Sequence, residues 1–73
     1  MTKFTIILED GSLYKEVLVK IGRFYAKTNA DIYWYLKENQ EIQIMNEKGD
    51  KPICISKKEI YYFTSSSNYY QHK

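Results

Sequence analysis

Apolar and polar residues alternate along much of the chain, which is the pattern of strands that bury one face. The clearest example spans residues 3–8, and a second spans residues 13–21. Between them stands Asp10-Gly11, a dipeptide that tight hairpin turns favour because both positions tolerate a positive φ. The pattern therefore predicts a β-hairpin over the first third of the chain.

Shorter alternating segments follow this hairpin. They predict strands over residues 23–27, 41–46, 51–55 and 60–64. Pro52 cannot donate a backbone hydrogen bond, which confines its segment to a strand start or a sheet edge.

The segment over residues 28–39 is open to two interpretations. Thr28 and Asp31 have the spacing of a helix capping box, which would begin a short helix over residues 29–38. The three adjacent aromatic residues 33–35 favour a strand instead, with Trp34 facing inward. We expect the strand and keep the helix as the alternative. A second short helix is expected around residues 56–60, where Ser56 and Glu59 have the same capping spacing.

Together these elements predict a mainly β fold with five to six short strands. We expect a small antiparallel sheet or a barrel, because the order of elements resembles that of SH3-like and Sm-like barrels. Residues 1–64 would form this single domain, and residues 65–73 would form a flexible tail because they carry no periodic apolar face. A chain of 73 residues buries only enough apolar surface for marginal stability, which favours self-association or a bound partner.

Several locations and activities are disfavoured by composition. The longest apolar runs fall far short of the ~20 residues that span a bilayer, and the first residues lack the order of a secretion signal. The single cysteine, Cys54, cannot form an internal disulfide, so we expect a cytoplasmic protein. His72 is the single histidine and no glycine-rich phosphate loop is present. We therefore expect no enzyme, no cofactor and no metal.

Tyrosine is the unusual feature, with eight residues in so short a chain. Strand alternation would place four of them on one outer surface, opposite to the valine and isoleucine face: Tyr14, Tyr25, Tyr33 and Tyr35. Tyrosine provides stiff contact area and a hydroxyl that tolerates water, as recognition surfaces require. We therefore expect a protein-interaction module that self-associates or binds a larger protein as a regulator or inhibitor. The many Lys, Ile, Asn and Tyr residues have AT-rich codons, which favours a low-GC bacterium, or one of its phages or mobile elements, as the source.

Two alternatives remain. The tyrosines could stack on the bases of RNA or single-stranded DNA while nearby cations contact phosphates: Lys15, Lys20, Arg23 and Lys27. The formal net charge of +2 is small for such a binder. The rings could also simply cover the second face of a thin sheet.

Overall fold

The predicted hairpin is present as β1 (Phe4–Leu8) and β2 (Leu13–Ile21) in the computed structural model, which describes residues 2–46, 48 and 51–66. Gly11 adopts a φ of 92° in the turn, as the Asp-Gly pair predicts. The Ser12 backbone N–H donates to Asp10 Oδ1 at 2.8 Å. Hydrogen bonding from Ser12 holds the pKa of the Asp10 carboxyl below its ordinary value, because it stabilises the charged form.

Six strands form one antiparallel sheet in the order β5-β4-β2-β1-β6, with the short β3 beside β2. The mainly β fold with a small antiparallel sheet is thus confirmed. The elements after the hairpin are β3 (Phe24–Tyr25), α1 (Asn29–Glu38), β4 (Glu41–Met45), β5 (Ile53–Ser56), a 3-10 turn (Lys57–Glu59) and β6 (Ile60–Ser65). The predicted short helix around residues 56–60 is this 3-10 turn.

The long strand β2 pairs with three other strands, β1, β3 and β4. Its first half pairs with β1, where Val17 lies opposite Phe4, and its second half pairs with β4, where Val19 lies opposite Ile44. Helix α1 contributes two buried side chains, Ile32 and Leu36, to the core. The core consists of Phe4, Ile6, Val17, Val19, Ala26, Ile32, Leu36, Ile42, Ile44 and Ile55.

A β-bulge in β2 corrects the predicted position of Tyr14. Ile6 pairs with Tyr14 and Phe4 pairs with Val17, so β2 advances three residues where β1 advances two. Glu16 takes a φ of 52° at this step. The extra residue returns Tyr14 to the same face as Val17, and Tyr14 is partly buried against the core. The alternation had predicted the opposite face.

The preferred strand over residues 28–39 is wrong, and the alternative helix is present. Both halves of the capping box form: Asp31 N donates to Thr28 Oγ1 at 3.2 Å, and Thr28 N donates to Asp31 Oδ2 at 3.1 Å. Lys27 N adds a third bond to the same carboxylate at 2.8 Å. These bonds satisfy backbone donors that a helix start otherwise leaves open. The cap and the buried pair on one helical face outweigh the strand preference of the aromatic residues.

At the carboxyl end, β6 extends one residue beyond its predicted end at Thr64. Ser65 pairs with Phe4, and Ser66 N donates to the Lys3 carbonyl at 2.7 Å. Residues 67–73, the rest of the predicted tail, lie outside the described residues. Within the described part of the chain, no helix has the length and apolar character needed to cross a membrane.

Candidate functional site

An open groove of about 690 Å³ runs between α1 and β6. Its helix side is formed by Tyr33, Leu36 and Lys37, and its strand side begins at Lys57 and continues through Ile60, Tyr61, Tyr62 and Phe63. We call this surface the aromatic groove.

Three of the lining tyrosines are exposed by half or more: Tyr33 by 54%, Tyr61 by 68% and Tyr62 by 54%. A β-bulge explains why two successive residues of β6 both face solvent. Ile7 pairs with Tyr62 and Leu8 pairs with Ile60, which leaves Tyr61 as the extra residue. Interfaces are enriched in tyrosine, and contiguous exposed apolar surface commonly marks an interaction site.

Helix α1 presents a second aromatic side chain beside the groove. Trp34 is 63% exposed, and its ring meets the Tyr33 ring edge-on with centroids 5.7 Å apart. Lys37 Nζ lies 5.0 Å from the centroid of each ring. The three residues meet because positions three and four apart lie on one helix face. The cation–π contacts orient the lysine over the rings at the groove.

The charge of the aromatic groove is positive. Lys37 and Lys57 are the charged residues that line it, and no carboxylate does so among the residues that the structure describes. The nearby Glu59 side chain instead accepts a hydrogen bond from Ser56 N at 3.4 Å, which caps the 3-10 turn. The groove therefore combines exposed rings with two cations.

The four tyrosines predicted to form one surface lie in separate places. Tyr33 lines the aromatic groove, whereas Tyr14 and Tyr35 are partly buried against the core. Tyr25 lies on β3 and its hydroxyl donates to Met45 Sδ at 3.4 Å. The predicted shared tyrosine face is therefore not present.

The groove residues that the sequence reasoning missed are Tyr61 and Tyr62, together with the neighbouring Trp34. An adjacent tyrosine pair in a final strand was the available signal, because a last strand can form a sheet edge. The outward position of both rings depends on the bulge, which alternation does not reveal.

The cations predicted to contact phosphates lie apart from the aromatic groove. Lys20 is half-buried on β2 and pairs with Tyr25 across the strands, whereas Lys15 and Arg23 are exposed. Lys27 is exposed immediately before the α1 cap, and with Tyr25 it lines a second, smaller groove of about 430 Å³. None of the four lines the aromatic groove.

The described residues contain no group of three or more side chains suited to hold a metal ion. Cys54 is exposed on β5, and His72 lies outside the described residues. Comparisons with models of known families, with curated proteins and with solved structures found no match to this chain.

Proposed function

We propose that the protein is a non-enzymatic, cytoplasmic binding module that holds a partner protein in the aromatic groove. The observation that carries this proposal is the exposure of three tyrosine rings in one groove, with Trp34 beside it. Rings of this kind anchor protein interfaces because they offer large, stiff contact area. A regulatory or inhibitory role follows if the captured partner is thereby blocked.

The area of these rings sets the strength that they can provide. A buried aromatic side chain removes about 200 Å² from water, so covering the exposed fractions of Tyr33, Tyr61 and Tyr62 would bury about 350 Å². At about 25 cal/mol per Å² this contributes about 9 kcal/mol. Association itself costs about 4–15 kcal/mol. The rings therefore support a weak complex, and a tighter one needs additional polar contacts.

The test is affinity capture from the native lysate with matched variants. Tyr33→Ser and Tyr62→Ser each remove a ring from the groove. Phe24→Ser is the control, because it removes a ring on β3 that is even more exposed, at 73%, and does not line this groove. We expect one protein to be captured by the wild type and by the control, and to be lost with both groove variants. Equal capture by all four chains would contradict the proposal, provided that their circular dichroism spectra agree.

Nuclease treatment of the lysate separates the second candidate function. The aromatic groove also has the exposed rings and cations that stack on bases and contact phosphates. Capture that disappears after nuclease treatment would assign the groove to nucleic acid. The cations that the sequence indicated for phosphate contact stay a separate prediction: Lys20→Ala or Arg23→Ala should weaken binding to RNA or single-stranded DNA and reduce the salt dependence of that binding.

A further inference from the structure

Among the described strands, β6 has a partner on one side only. It pairs with β1 from Ile60 to Ser65, and no described strand lies beside its second edge. In an antiparallel pair the backbone groups of successive residues point alternately toward the partner and away from it. The Ile60 N–H already donates to the Lys57 carbonyl. About half of the other backbone donors and acceptors over residues 60–64 therefore point along the side where a further strand could pair.

The two edges of the sheet differ in how they resist such pairing. At the opposite edge, β5 has four residues and follows directly after Lys51 and Pro52, a charged residue and one that lacks a backbone donor. The sequence of β6, Ile-Tyr-Tyr-Phe-Thr-Ser, contains neither a charge nor a proline. Exposed edges are commonly protected by such residues or by bulges; β6 has a bulge at Tyr61 but neither a charge nor a proline, so its edge can receive a strand.

The charges at the groove select among possible strands. Lys37 and Lys57 lie on either side of it, and none of its described lining residues is a carboxylate, so an acidic segment complements the groove and a basic segment does not. A second copy that docked the same groove about a two-fold axis would bring four of these lysines into one interface. Electrostatic repulsion therefore disfavours a symmetric dimer at this surface.

From these observations we infer that the occupant of the aromatic groove is an extended acidic segment of a partner protein. It adds to β6 as a further strand, with its carboxylates facing Lys37 and Lys57. The inference rests on the proposed function and names the chemistry of the partner. Residues 60–64 span about 17 Å at 3.3 Å per residue, which corresponds to a segment of about five residues.

The test begins with a displayed library of randomised octapeptides, from which peptides that bind the full chain are selected. We expect the retained peptides to be enriched in Asp and Glu and in strand-forming residues. Enrichment of basic peptides, or no enrichment, would overturn the inference. One enriched peptide is then labelled, and its binding is measured by fluorescence anisotropy.

Variants of the chain examine the charges. Lys37→Gln and Lys57→Gln should each weaken binding by up to about fivefold and reduce its salt dependence, as expected for a partly exposed ion pair. Lys58→Gln is the control, because Lys58 neighbours Lys57 in the 3-10 turn and does not line the groove. Equal binding by all three variants would overturn the role of the lysines.

Methylation of the peptide backbone examines strand addition. Methyl groups on alternate peptide nitrogens remove the donors that pair with β6 without changing the charge, so binding should fall at least tenfold for one of the two alternating patterns. Amide hydrogen exchange should slow over residues 60–64 of the chain and stay unchanged over Ile53–Ser56 of β5. Unchanged binding of both methylated peptides, or protection of β5 instead, would overturn strand addition.

These outcomes separate the inference from the proposed function. If Tyr33→Ser abolishes capture of the native partner while the library shows no acidic preference, the groove binds protein and the inference fails. If capture is insensitive to Tyr33→Ser, the proposed function fails first.

Discussion

Two residues of α1, Ile32 and Trp34, distinguish the helix from the strand that the aromatic run favours. In the helix, Ile32 is fully buried and Trp34 is 63% exposed. In a strand with alternating faces, both side chains would point inward. Ile32→Ala should therefore cost far more than Trp34→Ala in the helix, whereas the two substitutions should cost similar amounts in the strand.

The expected costs follow from burial. Ile32→Ala removes three carbon groups from the core, worth about 2.4 kcal/mol in transfer free energy, and the cavity left behind raises the loss to about 3–4 kcal/mol. Trp34→Ala removes a ring that is mostly in water, and alanine favours a helix. It should lower the free energy of unfolding by less than about 1 kcal/mol. A Trp34 ring buried in a strand would cost about 3–5 kcal/mol on truncation.

Urea denaturation followed by far-UV circular dichroism measures both values without depending on the single tryptophan. A domain of this size has a total stability of about 4–11 kcal/mol, so Ile32→Ala should lower its Tm by roughly 15–30 °C. The Trp34→Ala chain should melt within about 8 °C of the wild type. A loss for Trp34→Ala as large as that for Ile32→Ala, or larger, would refute the helix and the groove built on it.

Three further outcomes follow from local geometry. Backbone N–H groups of Lys27 and Thr28 hold the pKa of the Asp31 carboxyl below its ordinary value. The stability that this carboxylate contributes is therefore present above its unfolded pKa and is lost as the pH falls through the lowered pKa. In acid, the free energy of unfolding of Asp31→Asn should fall less steeply with pH than that of the wild type. In urea denaturation, the free energy of unfolding of Glu16→Val should be about 1 kcal/mol lower than that of Glu16→Asn, because β-branched residues disfavour the φ of 52° at this position. Tyr14→Ala should lower the Tm by at least about 8 °C in a thermal melt, because the ring packs against the core.

The alternation of residue types predicts most of the sheet, since each strand of so small a domain buries one face. Ile42 and Ile44 of β4 are buried as their spacing requires, and the Asp-Gly turn joins β1 to β2. The order of the strands in the sheet does not follow from alternation, because pairing depends on contacts between distant segments.

The candidate site was predicted poorly because single-residue insertions change which face a side chain occupies. The bulge at Glu16 turns Tyr14 inward, and the bulge in β6 leaves Tyr61 outward. Neither insertion has a marker in the sequence, such as the glycine that often occupies a bulge. The capping residues Thr28 and Asp31 did mark α1, and the aromatic run was given too much weight against them.

The positions that the tyrosines take in the structure, in place of the predicted shared face, bear on function. The predicted tyrosine face would have lain on the broad surface of a sheet, where a partner makes side-chain contacts alone. The structure instead exposes Tyr61 and Tyr62 on an edge strand and Tyr33 on the helix beside it. Rings at an edge adjoin backbone donors and acceptors, and this adds directional hydrogen bonds to an apolar contact that is weak by itself. The same aromatic excess that the sequence shows therefore favours recognition of an extended chain, because its rings lie where a strand can pair.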